Sequence, residues 1–181
     1  MSEKLQQIIN KQHKSLSGDD IKIDEVIQLV GFIVGDEEFS VPILSIQEII
    51  KPISWTRVPQ TPPYILGVFN LRGSVIPLID LRSRFGLEMI KHTEETRFIV
   101  MKNGDDVAGF VIDRLTEAIR LPKRDVGPAP ETISEGESMI DGVGKQADRI
   151  ITILKVGKLL ERNFWFSSIY GTITPWMKYT I

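Results

Sequence analysis

Two stretches of the chain echo each other, and this internal repeat constrains the fold more than any other feature. Gly67-Val68 in the first copy falls on Gly142-Val143 in the second, 75 residues later. Upstream, Gly35-Asp36 falls on Gly104-Asp105 at a spacing of 69 residues, so the second copy carries about six extra residues, which we place in Thr132–Ser138. Because the repeat is longer than a solenoid unit, it predicts one small fold used twice, in two packed lobes.

Short apolar, β-prone runs bounded by turn residues recur in both copies. The clearest are Tyr64–Leu71 and Val75–Leu81, which are too apolar to be wetted on either face. About five strands per lobe are enough for a small barrel. We therefore predict a mainly β fold: two five-stranded SH3-like barrels from an internal duplication, with short helices, Leu81–Phe85 and Val156–Arg162, after the last strand of each lobe. Ile46, Ile49 and Ile50 have a short helix-like spacing.

The composition divides the chain into three parts. Residues 1–25 form a polar leader, either flexible or weakly helical, and residues 26–160 form the folded region. Within that region the repeat places lobe 1 at about 26–88 and lobe 2 at about 96–160. Residues 161–181 hold the end of the terminal helix and an aromatic tail of uncertain origin, on which we base no function.

Charge and composition narrow the functional classes. The net charge is −2 and the pI about 5.8, so nothing in the overall charge suggests binding to a phosphate backbone. The chain has no cysteine, so disulfides and thiolate chemistry are excluded. Neither a signal peptide nor a run of ~18 apolar residues is visible. We expect a soluble, cytoplasmic protein.

The residues that could support catalysis are few. His13 and His92 have no orienting partner in the sequence, as a general base would need. The carboxylates of Asp36-Glu37-Glu38 and Asp105-Asp106 lie at equivalent hairpin tips, where turns favour Asp. We therefore predict no catalytic residue, no metal site and no cofactor, which argues against an enzyme.

The sequences of the two copies differ at one turn. Asn70-Leu71-Arg72-Gly73 in the first copy is replaced by Lys145-Gln146-Ala147-Asp148 in the second. Folding alone therefore does not require Arg72, whose planar fork of donors suits a carboxylate or backbone carbonyls on another protein. A solvated surface charge explains it equally well. Gly73 is explained as a turn residue with positive φ, and we count Gly67, Asn70 and Gly73 as structural turn residues.

Glu48 does recur, because Ile46-x-Glu48 falls on Leu115-x-Glu117. Recurrence favours a structural role for this carboxylate. Its separation from Arg72 in the sequence does not prevent contact, so we advance an Arg72–Glu48 pair as a hypothesis.

The chain resembles the CheW-type chemotaxis coupling proteins over roughly residues 26–160. The resemblance rests on an ordered series of motifs rather than on one tetrapeptide. The motifs are Gly35-Asp36-Glu37-Glu38, Ile46-Gln47-Glu48-Ile49, Thr61-Pro62, Gly67-Val68-x-Asn70-Leu71-Arg72-Gly73, Pro77-x-x-Asp80-Leu81-Arg82, Val111-Ile112-Asp113 and Pro128-Ala129-Pro130-Glu131.

This resemblance implies a non-catalytic adaptor with two partners, the regulatory domain of the chemotaxis histidine kinase and the cytoplasmic tip of helical-bundle chemoreceptors. It would be cytoplasmic and recruited to membrane-bound receptor arrays. The receptor-facing positions implied are Ile46, Arg72, Gly109 and Ala118, with Ile46 and Ala118 as apolar surface in a groove between the lobes. Glu48 and Gly67 match positions where the family is sensitive to change.

Three other interpretations stay open on the sequence. The same fold occurs in the regulatory domain of the kinase itself and in adaptors fused to a receiver, although no length remains here for a receiver domain. A small β-barrel nucleic-acid binder would show a basic face interleaved with aromatics. An enzyme would show an ionisable cluster buried between the lobes.

Overall fold

A computed structural model describes residues 25–129 and 139–161. The predicted leader before Glu25, the predicted insertion at Thr132–Ser138 and the aromatic tail lie outside these residues. The strands in this part of the chain are β1 (Val26–Val34), β2 (Glu37–Pro42), β3 (Ile46–Ile50), β4 (Ile65–Leu71), β5 (Ser74–Asp80), β6 (Arg97–Asn103), β7 (Asp106–Ile112), β8 (Arg114–Pro122), β9 (Val126–Pro128), β10 (Ile140–Gln146) and β11 (Arg149–Leu154). Helix α1 spans Leu81–Arg84 and helix α2 spans Val156–Leu159, and 3-10 turns occupy Ile43–Ser45 and Lys123–Asp125.

The strands form two sheets. Sheet 1 has the order β3-β6-β7-β5-β4, and sheet 2 has the order β8-β1-β2-β11-β10-β9. The predicted mainly β fold with two small lobes is confirmed, and the two short helices follow β5 and β11 as expected. Sheet 2 has a sixth strand because the short β9 pairs separately with β10.

Each copy of the repeat inserts its first hairpin into the sheet of the other copy. The hairpin β6–β7 of the second copy lies between β3 and β5 of the first, and the hairpin β1–β2 of the first copy lies between β8 and β11 of the second. The sheets therefore do not coincide with the predicted segments 26–88 and 96–160. The sequence shows the repeat, but a repeat is compatible with either local or exchanged pairing.

The chain after one edge strand of each sheet runs across to the opposite edge. After β3, Thr56 exchanges two backbone hydrogen bonds of 2.8 Å with Val68 on β4. After β8, the chain continues through a 3-10 turn into β9, where Gly127 pairs with Val143 on β10. Val68 and Val143 are counterparts in the repeat, so both sheets close by the same crossing. This crossing gives each sheet the barrel-like form predicted from the sequence.

The apolar core has three parts. One cluster, which includes Phe69 and Phe98, lies in sheet 1, and one around Leu29 and Ile151 lies in sheet 2. The largest cluster joins both sheets and holds Phe32 of β1 and Phe110 of β7, neither of which has any exposed surface. Because full burial of such a side chain is worth about 1.5–3 kcal/mol, the shared cluster makes each sheet depend on the other.

A half-buried ion pair also connects the two sheets. The Arg82 guanidinium of α1 donates to Asp113 Oδ2 over 2.6 Å, and the same oxygen accepts from the Gly35 backbone N–H over 2.8 Å. Gly35 lies in the β1–β2 turn of sheet 2, and Asp113 follows β7 of sheet 1. The carboxylate thus connects the helix to a turn of the other sheet.

The helix-like spacing of Ile46, Ile49 and Ile50 proved to be a strand, β3. A bulge between Ile46 and Glu48 shifts the register against β6. The extra residue disturbs the period-2 alternation of a regular strand, so the spacing of the isoleucines imitates that of a helix.

The buried carboxyl group of Asp80 makes the stability of the fold depend on pH. Its carboxylate is buried, and its Oδ1 accepts from the Ser83 N–H over 2.7 Å to cap α1. Burial raises the pKa of Asp80 above 3.8, in spite of the hydrogen bond from Ser83, which lowers it. A raised pKa in the folded state means that stability is lost as pH rises through the interval between the unfolded and folded values.

We therefore expect Asp80→Asn, which keeps a capping oxygen, to gain stability relative to the unchanged protein as pH rises from about 4 to about 7. Denaturant unfolding at both pH values measures this. A variant that loses more stability at about pH 7 than at about pH 4 would contradict it.

Candidate functional site

The β4–β5 turn holds the arginine that distinguishes the two copies. Leu71 pairs with Ser74, so the turn has two central residues, Arg72 at φ +52° and Gly73 at φ +89°. Asn70 Oδ1 accepts from the Gly73 N–H over 2.9 Å. Two positive φ angles are typical of a tight hairpin turn. The counterpart of Arg72, Ala147, has the same φ of +52°, so the bend does not depend on an arginine side chain.

The Arg72 guanidinium donates to Glu48 Oε1 over 2.7 Å. The hypothesis of an Arg72–Glu48 pair is therefore confirmed. The Arg72 side chain is 79% exposed and that of Glu48 26%. Exposed ion pairs contribute about 0–1 kcal/mol to stability, so this pair orients the arginine more than it holds the fold together.

The pair lies at an open depression of about 350 Å³ in sheet 1. Ile76, which belongs to the apolar cluster of sheet 1, is buried and forms its floor. The lining residues are Gln47, Glu48, Leu71, Arg72, Ser74 and Ile76. The depression thus combines an apolar floor with a charged rim, an arrangement suited to one side chain of a partner protein.

Gly67 is not a turn residue, contrary to the sequence prediction. It lies at a bulge in β4, with φ +149°, where the backbone of Thr56 crosses. A Cβ at this position would lie 2.0 Å from the Thr56 carbonyl oxygen. Its counterpart Gly142 faces the Gly127 carbonyl in the same way, at 2.7 Å. The recurrent glycine is explained by the chain crossing that closes each sheet.

Gly109 is buried in β7. A Cβ there would lie 2.7 Å from Cε1 of Phe69, in the core of sheet 1. A contact between Gly109 and a receptor stays a prediction. Glycine leaves room for the phenylalanine ring at this position.

The other two predicted receptor-facing residues lie on different sheets. Ile46 begins β3 in sheet 1, is half-buried and packs against the shared core. Ala118 is exposed on β8 in sheet 2, opposite Val30. The strands β3 and β8 are counterparts in the repeat. A groove containing both residues stays a prediction.

A second ion pair was not predicted from the sequence. Arg149, at the start of β11, donates to Glu117 over 2.7 Å. Glu117 is the counterpart of Glu48, whereas Arg149 is the counterpart of Ser74, two residues after the Arg72 position. The fixed spacing of the repeat therefore does not align Arg149 with Arg72. An arginine in the second turn or its flanks was the signal in the sequence that indicated this pair.

Two absences are noted among the residues that the structure describes. Across residues 25–129 and 139–161, no three His, Asp or Glu side chains are grouped to hold a metal ion. In the same ranges no helix is long and apolar enough to cross a membrane.

Comparison with known proteins gives a consistent result. The family model of the CheW-like domain matches residues 28–164. The chain is 50% identical to the chemotaxis protein CheW of Helicobacter pylori over 165 residues, which cover 91% of this chain and 100% of that protein. It is 35% identical to the CheW of Klebsiella aerogenes over 71% of this chain and 78% of that one. The crystal structure of the scaffolding protein TtCheW from Thermoanaerobacter tengcongensis superimposes with a TM-score of 0.67, at 30% identity, over 72% of this chain and 90% of that one.

The two glycines of β4–β5 give a matched test of the site geometry. We expect Gly67→Ala to lower the free energy of unfolding by on the order of 3 kcal/mol or more, because the new methyl group clashes with backbone that has nowhere to move. Gly73→Ala costs only about 1–2 kcal/mol of backbone strain, since a Cβ there meets nothing within 4 Å. Urea unfolding of both variants measures the difference. Equal losses would contradict this account of Gly67.

Proposed function

The chain belongs to the CheW-like domain family, and from that premise we propose that it is a non-catalytic adaptor in chemotaxis. It couples the cytoplasmic tips of chemoreceptors to the regulatory domain of the chemotaxis histidine kinase. Its place of action is the cytoplasmic side of membrane-bound receptor arrays. The role requires binding surfaces and no catalytic group, metal or cofactor.

The observation that carries the proposal is an exposed arginine for which folding has little use. Arg72 projects from the turn with 79% of its side chain exposed, and one carboxylate fixes its direction. The second copy builds its turn with Ala147 in the same backbone conformation. A charged side chain that the fold does not require is a candidate for recognition, because its donors match carboxylates and carbonyls.

The remaining receptor-facing residues support this surface in different ways. Ile46 and Ala118 would supply apolar contacts to a receptor helix, in the helix-in-groove mode. Gly67 and Gly109 would act indirectly. The first lets Thr56 approach β4, and the second leaves room for Phe69, so both shape the sheet that carries Arg72.

The direct test is Arg72→Ala. We expect this variant to bind receptor-bearing membranes about 10-fold more weakly or worse, the loss expected for a contact residue at an interface. Its free energy of unfolding should change by less than about 1 kcal/mol, because the ion pair is exposed. Co-sedimentation with membranes that contain chemoreceptors measures binding, and kinase activation in the reconstituted complex measures coupling.

Lys123→Ala is the matched control. Lys123 donates to Glu25 over 2.9 Å in another exposed ion pair, so the variant removes one cation and one surface pair away from the site. It should bind and activate as the unchanged protein does. Equal binding by Arg72→Ala and the unchanged protein would refute the role of Arg72.

A further inference from the structure

The two copies of the repeat carry different charged side chains at equivalent positions. The comparison shows which charged group is absent from the depression in sheet 1. In sheet 2, the Arg149 guanidinium lies 2.7 Å from Glu117 Oε1 and 3.7 Å from Glu38 Oε2. Glu38 is also held by the Thr116 hydroxyl, which donates to its Oε1 over 2.7 Å. One arginine therefore lies between two carboxylates.

In sheet 1 the counterparts leave that arrangement incomplete. Ser74, whose short side chain lines the depression, stands where Arg149 stands in the second copy. Val107 stands where Glu38 stands, so one of the two carboxylates is missing. Arg72 reaches Glu48 from the turn instead, and the guanidinium has a single carboxylate among the described residues.

We propose that the receptor supplies the second carboxylate, from a glutamate side chain inserted into the depression. Its aliphatic stem would lie against Leu71 and Ile76, and its carboxylate would accept hydrogen bonds from Arg72. This inference rests on the proposed function, because it assigns the chemistry of the partner at the same surface.

Charge favours a carboxylate over basic or apolar side chains, and the apolar lining at Ile76 suits the longer stem of glutamate. A lysine or arginine of the partner would face the Arg72 guanidinium, and like charges at an interface are costly. A purely apolar side chain would cover Arg72 and Glu48 without providing a hydrogen-bond acceptor. The second copy shows that one arginine at this end of a sheet can serve two carboxylates.

The first test transfers the arginine of the second copy into the first. Ser74→Arg should fill the depression and pair with Glu48, as Arg149 pairs with Glu117. We expect it to weaken binding of a purified receptor cytoplasmic-tip fragment by about 10-fold or more. Ala147→Arg, which adds the same charge at the equivalent turn of sheet 2, should bind as the unchanged protein does. Equal binding by the unchanged protein and Ser74→Arg would overturn the proposal.

The second test identifies the carboxylate. Each glutamate of the tip fragment is changed to glutamine and measured against the unchanged adaptor and against Arg72→Gln, as a double-mutant cycle. For one glutamate we expect the two losses not to add, with a coupling of about 10-fold. Additive losses at every glutamate would overturn the proposal.

The two tests separate this inference from the proposed function. If Arg72→Gln weakens binding but no glutamate couples to it, the receptor binds at Arg72 without an inserted glutamate, and only the further inference fails. If Arg72→Gln and Ser74→Arg both bind the tip fragment as the unchanged protein does, the surface does not bind the receptor, and the proposed function fails with it. Circular dichroism melting of each variant verifies that the fold is intact.

Discussion

The exchange of hairpins between the two copies of the repeat is the constraint on which the rest of the structure depends. Each sheet obtains its central strands from the other copy, and the largest apolar cluster joins both sheets. Strand pairing distant in sequence must form before that apolar surface is buried. Each half of the chain holds a strand that has no pairing partner in that half: β3 pairs with β6 of the second copy, and β8 pairs with β1 of the first. The relative position of the two sheets is therefore fixed by the chain topology and by the Arg82–Asp113 pair, which ties α1 to the β1–β2 turn.

Comparison of the two copies separates residues that the fold requires from residues that it does not require. Gly67 and Gly142 recur because both sheets close by the same close backbone crossing. Arg72 and Ala147 differ although their backbones adopt the same φ, so one turn can carry a recognition residue while the other does not. The ion pair in sheet 2, Arg149 with Glu117, shows a second solution at the equivalent place.

The sequence predicted the features that depend on local pattern. The strands at β4 and β5, the short helices and the turn at Arg72-Gly73 follow from runs of apolar residues and from turn chemistry, and Arg72 met Glu48 as hypothesised. The exchange of hairpins was not predictable, because a repeat fixes which strands are equivalent and leaves open which of them pair. The bulge between Ile46 and Glu48 gave the isoleucines of β3 a spacing typical of a helix, so this strand was not predicted. Gly109 was named only through the family resemblance, and nothing in its neighbourhood of the sequence reveals that a side chain there would meet the Phe69 ring. The Arg149–Glu117 pair was not predicted because the fixed spacing of the repeat aligns Arg149 with Ser74 and not with Arg72.

Separating the copies tests the central claim most directly. Fragments 1–90 and 91–181 divide the chain in the exposed connection between α1 and β6. Each can be expressed alone, and its amide proton spectrum and thermal melt recorded before and after equimolar mixing. Mutual insertion predicts that neither fragment alone shows dispersed amide resonances or a cooperative melt, and that the mixture shows both. A dispersed spectrum and a cooperative melt from one fragment by itself would contradict it, since a half that folds unaided would not need the hairpin of the other.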